Sequence, residues 1–139
     1  MRQKMDAAAL NAFLRSDFAQ VADSFEVLAA GEETVIRLKV DESHLRPGGT
    51  VSGPTMFALA DVGIYLAILS RIGPVALAVT TNATIDFLRK PLAGIDLLAR
   101  VRVLKLGRSL AVGECLIFSE DAAEPVARAS MTYAIPPAR

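Results

Sequence analysis

The stretch that decides the fold is Ser52-Gly-Pro-Thr-Met-Phe-Ala-Leu-Ala-Asp61-Val-Gly-Ile-Tyr-Leu-Ala-Ile-Leu-Ser-Arg-Ile72. Its start reads as a helix N-terminus: Ser52 suits the cap, and Pro54 suits the first turn, where a missing N–H costs nothing. Gly73-Pro74 is the stop. Between them, Phe57, Asp61, Ile64, Tyr65 and Ile68 fall on one stripe, while Leu59, Val62, Leu66 and Leu69 cover the other side. A helix that is apolar all round is a buried helix. The uninterrupted part, about 17 residues, is at the short limit for crossing a bilayer. A central Asp61 would cost roughly 2.5–3.5 kcal/mol to insert. The segment is therefore read as buried by protein, with no membrane partner, and it carries one carboxylate where an unpaired charge is expensive.

Working outward, Leu10, Phe13, Leu14 and Phe18 have a helical 3–4 spacing and predict an N-terminal helix over about residues 7–21. From Thr34 the period becomes 2: Ile36, Leu38 and Val40 alternate with Val35, Arg37 and Lys39, the pattern of a half-buried strand. Four more strand-like runs follow the long helix. The first puts Val75, Leu77, Val79, Thr81, Ala83, Ile85 and Phe87 on one face, with Thr80 and Asn82 sharing the other, and ends at Lys90-Pro91. The others span Ile95 to Leu106, Leu110 to Phe118 and Val126 to Ile135, with a hairpin turn predicted at Leu106-Gly-Arg-Ser109. Short connections favour antiparallel pairing. The expectation is an α+β chain, 1–139 as a single domain, in which a five- to six-stranded antiparallel sheet wraps a long central helix.

Composition bounds the function. Fifteen Lys+Arg balance fifteen Asp+Glu, 53% of residues are hydrophobic, and the mean hydropathy is +0.40. Disorder needs the reverse, low hydrophobicity and high net charge. A zero balance argues against a nucleic-acid partner, which needs a basic excess to neutralise phosphates. Cys115 is the only cysteine and His44 the only histidine. One of each cannot form a disulfide or an ordinary zinc set, so a reducing compartment, the cytoplasm, is expected and no metal. No glycine-rich nucleotide loop occurs. The apolar excess on so short a chain predicts that another copy covers part of it.

Two motifs carry a family resemblance. His44-Leu-Arg-Pro-Gly-Gly-Thr-Val-Ser-Gly-Pro-Thr-Met-Phe-Ala-Leu-Ala-Asp61 resembles the turn-and-helix segment of the hotdog-fold thioesterases of the phenylacetic-acid-degradation (PaaI-like) type. Thr80-Thr-Asn-Ala-Thr-Ile-Asp-Phe-Leu-Arg-Lys-Pro91 is similar to that family's strand ending in Phe-Leu-Arg-Pro. The resemblance spans about Phe25 to Pro136. It implies homodimers and homotetramers that hydrolyse acyl-CoA thioesters at sites between subunits, with no cofactor beyond the CoA of the substrate. Asp61 matches the carboxylate that acts as general base on water or as nucleophile. Gly53 matches the glycine whose N–H polarises the thioester carbonyl, in keeping with the free N–H groups and partial positive charge of a helix start. Thr80 matches a hydroxyl that orients the attacking water.

The chain departs from the pattern twice. The usual His-Gly-Gly is Ser52-Gly53-Pro54, and an Asn six residues before that His is Arg46. Pro54 has no N–H, which leaves Gly53 or Thr55 as oxyanion donor, with Ser52 and Arg46 as replacement polar groups. Tyr65 and Asn82 are further substrate-contact candidates. Arg89, Lys90 and Arg108 are candidates for CoA phosphates, since guanidinium groups bind phosphate well. The rival readings are a non-catalytic acyl-CoA or small-ligand binding protein and, third, a hydratase using His44.

Overall fold

A computed structural model describes residues 3–137. It contains α1 (Ala7–Asp17), β1 (Phe25–Ala29), β2 (Thr34–Leu38), a 3-10 turn (Glu42–His44), α2 (Gly53–Ile72), β3 (Val79–Phe87), β4 (Leu97–Leu106), β5 (Leu110–Ser119) and β6 (Ala127–Ala134). The strands form one antiparallel six-stranded sheet in the order β1-β2-β4-β5-β6-β3. The sheet curls around α2, twelve of whose twenty residues are buried.

The helix begins and ends where its residues dictate. The Ser52 side chain accepts from Thr55 N–H at the start, and at the end Gly73, at φ 93°, closes back on the Leu69 carbonyl. Among the described residues α2 is the one helix long and apolar enough to cross a membrane, yet two thirds of that apolar stretch is buried by the sheet. Its seat on the sheet depends on small residues. An added Cβ at Gly63 would lie 3.2 Å from Val101 Cγ2, and one at Gly113 of β5 would lie 2.7 Å from Ile64 Cγ2.

The N-terminal helix is capped by Asp6, whose side chain accepts from Ala9 N–H, and buries Leu10, Phe13 and Leu14. It ends at Asp17, four residues short of the expected 21. Phe18 leaves the helix (φ −135°, ψ 48°) and turns its ring edge-on to Tyr65. β1 carries too short a pattern to be read from the sequence; it completes the sixth strand.

Three further expectations are corrected, all of them at β3. β3 does not pair with its successor β4 but with β6, which places it at the sheet edge. It also begins at Val79, because Val75–Ala78 forms a turn with Ala78 N–H on the Val75 carbonyl. Nor does simple alternation hold along it. A bulge between Thr80 and Asn82 inserts Thr81, so Thr80 stands opposite Tyr133 and Asn82 opposite Thr132. One extra residue inverts every side chain beyond it. Thr80 therefore faces α2 together with Ala83, Ile85 and Phe87, whereas Asn82 lies on the outer face.

The two sheet edges differ. At β1, the Asn11 side chain donates to the Val27 carbonyl at 2.9 Å and accepts from Val27 N–H at 2.8 Å, doing what a neighbouring strand would do. β3 has no such cover among the described residues, and seven of its nine residues are exposed. Bare edges are pairing surfaces.

Candidate active site

Asp61 sits half-buried in the third turn of α2, with its carboxylate turned toward β3 and β6. Thr80 Oγ1 donates to Oδ1 at 2.6 Å. The Tyr133 hydroxyl from β6 donates to the same oxygen and also lies 2.6 Å from the Asp61 backbone carbonyl. Both donors are possible because the bulge turns Thr80 inward beside Tyr133. Burial pushes the Tyr133 phenol well above its ordinary value, with the Asp61 charge adding to the effect, so it is a neutral donor at any working pH.

These groups line a cavity of about 390 Å³ that is completed by Val62, Tyr65, Ala78 and, from the end of α1, Asp17 and Phe18. Tyr65 thus lines the cavity that holds Asp61. Its hydroxyl, however, donates to the Ala76 carbonyl at 3.0 Å, and its ring stacks on Tyr133 at 6.0 Å. Burial, aided by the nearby Asp17 charge, raises its phenol as well.

The start of α2 faces a second cavity of about 500 Å³, lined by Gly53, Arg46, Phe87, Arg89, Lys90 and their neighbours. The two cavities share no residue. Eight helical steps separate Gly53 from Asp61, about 12 Å at 1.5 Å per residue. Within one chain the glycine N–H and the carboxylate cannot meet at one carbonyl.

At this helix start the choice of oxyanion donor narrows. Thr55 N–H is held by Ser52 Oγ, whose hydroxyl also shares a 2.8 Å hydrogen bond with Thr55 Oγ1, and Thr55 Oγ1 reaches the His44 carbonyl at 3.4 Å. Ser52 and Thr55 are thus engaged in capping. Gly53 N–H, in the first helical position, has no partner among the described residues. A Cβ there would lie 3.3 Å from Phe87 Cζ, so glycine allows that ring to close over the backbone.

Of the cationic candidates, Arg46 is exposed on the loop beside this cavity and Lys90 is exposed at its rim. Arg89 is partly committed, donating to the Pro125 carbonyl and pairing with Glu124 at 3.3 Å. Arg108 lies in the β4–β5 turn, and neither it nor Asn82 lines either cavity. The His44 ring accepts from Asp41 N–H at 2.9 Å, capping the 3-10 turn at the helix start, more than two turns from Asp61. Among the described residues no three His, Cys, Asp or Glu side chains gather as a metal site would require. The residue the sequence reading missed is Tyr133. Its signal was present: a tyrosine on the buried face of β6, in step with Ala129 and Met131, must find a partner for its hydroxyl.

A long helix gripped by a six-stranded antiparallel sheet defines the hotdog class. Comparison with known proteins agrees. Residues 48–126 match the thioesterase superfamily, and the chain belongs to that family. It is similar over its whole length to a provisionally named thioesterase from Silicibacter sp. TM1040, with 55% identity, 99% and 96% of the two chains covered and a TM-score of 0.92. A mutant of the phenylacetic acid degradation protein PaaI from Thermus thermophilus is 30% identical, with 86% and 100% covered and a TM-score of 0.73. A provisionally named esterase of Pseudomonas aeruginosa is 33% identical over 107 residues, 77% of this chain and 78% of its own.

Proposed function

We propose that this protein hydrolyses acyl-CoA thioesters, with Asp61 as general base on water or as nucleophile and the Gly53 N–H of a second copy polarising the thioester carbonyl. The observation that carries this reading is the division of the machinery. A carboxylate held by two hydroxyls stands in one cavity, and a free helix-start N–H stands in another, at opposite ends of an uncovered edge strand. Antiparallel pairing of two β3 strands about a two-fold axis brings the Thr80 end of one copy to the Phe87 end of the other. Each cavity pair then forms one site, and the dimer has two.

In that site the developing oxyanion meets an N–H at the positive end of α2, where preorganised donors lower the barrier most. The single Thr80 proton is committed to Asp61, so toward water Thr80 acts as an acceptor and helps hold it for attack. Arg46 and Lys90 at the Gly53 cavity supply positive charge for CoA phosphates, Arg89 adding the part of its guanidinium that Glu124 and Pro125 leave open. The lone buried Cys115 suits a reducing, cytoplasmic setting.

The test is CoA release from a panel of acyl-CoAs by wild type and Asp61→Asn. Wild type is expected to turn over at least one member, and the variant to lose about 10²–10⁴-fold, the usual contribution of a positioned base. Equal rates for the two proteins would remove Asp61 from the mechanism. Tight binding without turnover across the panel would favour the binding-protein reading. That alternative is motivated by Ser52, whose hydroxyl caps the helix and leaves the usual histidine unreplaced.

A further inference from the structure

We infer that Tyr133 is a positioning residue for the reaction, acting through Asp61 to hold one carboxylate oxygen still and present the other to the substrate. The inference rests on the reading of Asp61 as the reacting group. Asp61 receives the hydrogen bonds of both Thr80 and Tyr133 on Oδ1. Oδ2 accepts no hydrogen bond among the described residues, and Asp61 lines the cavity, which leaves Oδ2 as the oxygen available to a substrate. The Tyr133 hydroxyl also reaches the Asp61 backbone carbonyl, so main chain and side chain of the same residue are tied to one point on β6.

That point is itself rigid. Tyr133 is 3% exposed and its ring stacks on Tyr65, whose hydroxyl is anchored on Ala76 and whose ring is flanked by Phe13 and Phe18. Catalytic groups depend on such locked support, because a displacement of about 1 Å costs on the order of 10²-fold. A carboxylate on a free side chain would rotate and share its proton-accepting work between two oxygens. With Oδ1 occupied by two donors, only Oδ2 meets water or the thioester carbon.

The experiment is steady-state kinetics of Tyr133→Phe, beside Asp61→Asn, on whichever acyl-CoA the wild type cleaves, with thermal unfolding of each protein. The expected result for Tyr133→Phe is a fall in kcat of about ten- to a hundred-fold, the scale of one hydrogen bond to a charged group, with KM within about two-fold because the lost hydroxyl is spent on Asp61 and the ring that lines the cavity is kept. A packing role alone would lower the unfolding midpoint without this kcat-against-KM split. Unchanged kcat in Tyr133→Phe, while Asp61→Asn is inactive, overturns the inference and leaves the proposed function standing. A loss carried entirely by KM overturns it too. If Asp61→Asn is fully active, the proposed function itself fails. Should Tyr133→Phe not fold, the wild-type protein supplies the measurement. The Tyr133 hydroxyl proton is expected as a downfield, slowly exchanging NMR signal that moves upfield in Asp61→Ala. A signal indifferent to Asp61 overturns the inference.

Discussion

At the scale of single residues, burial has changed what three side chains can do. Burial pushes the Cys115 thiol up to about 12, so it is neither thiolate nor accessible at ordinary pH. A thiol reagent at about pH 8 is expected to leave it unlabelled in the native protein and to label it fully after denaturation. Tyr65 and Tyr133, the only two tyrosines, are both raised by desolvation. A folded value above the unfolded one means that stability is intact below the unfolded tyrosine value of about 10 and is lost as pH rises past it. Native protein at about pH 10.5 should show less tyrosinate absorbance than the same protein in denaturant, the buried Tyr133 phenol accounting for most of the difference. Full ionisation without unfolding would contradict their burial. Ser52 offers a simpler check, since Ser52→Ala removes the cap of α2. The expected loss is about 1 kcal/mol in urea unfolding, with activity retained because Gly53 keeps its N–H.

At the scale of elements, the molecule rests on how closely α2 approaches the sheet. Gly113 on β5 is the tightest point: the missing Cβ would stand 2.7 Å from Ile64 Cγ2, a buried branched side chain with no room to move. Gly113→Ala is expected to destabilise by about 1–3 kcal/mol, the usual cost of overpacking, measured by denaturant unfolding. No change would mean that helix and sheet are less firmly seated than their packing implies. Gly53 is the contrasting case, because its 3.3 Å neighbour is the exposed ring of Phe87, which can swing away. The bulge in β3 works on the same scale. By inserting Thr81 it turns Thr80 toward Asp61 while sending Asn82 to the other face. That single irregularity assembles the hydroxyl pair on the carboxylate.

For the whole molecule, the sharpest prediction concerns which chain supplies which group. If each site takes Asp61 from one copy and Gly53 from the other, two inactive variants should rescue one another. Asp61→Asn removes the carboxylate. Gly53→Pro removes the N–H, and Ser52 before it is already extended (φ −72°, ψ 154°), as a residue preceding proline prefers. After co-refolding in equal amounts, half of the dimers are mixed and each has one intact site. Activity should return to about a quarter of the wild-type level. No recovery, with mixed dimers demonstrated, would place both groups in one chain or remove one from the mechanism.

The sequence by itself determined the central helix, its cap at Ser52 and its stop at Gly73, because these follow from local hydrogen bonding and from a periodicity of apolar side chains that only burial satisfies. It also marked Asp61 as a candidate, since a carboxylate in an apolar helix stands out as a residue type, and Gly53 through the family resemblance of the segment that precedes it. Strand runs were legible from their alternation, apart from the short β1. Three things were decided only by the tertiary structure. The β3–β6 pairing joins residues about fifty apart, and a bulge defined by that pairing cannot be seen in either strand alone. Thr80 and Tyr133 meet on Asp61 only once those strands are in register. The placement of Gly53 and Asp61 in two distinct cavities appears only when the helix is laid out against the sheet, and it is the observation behind the proposed sharing of a site between two copies.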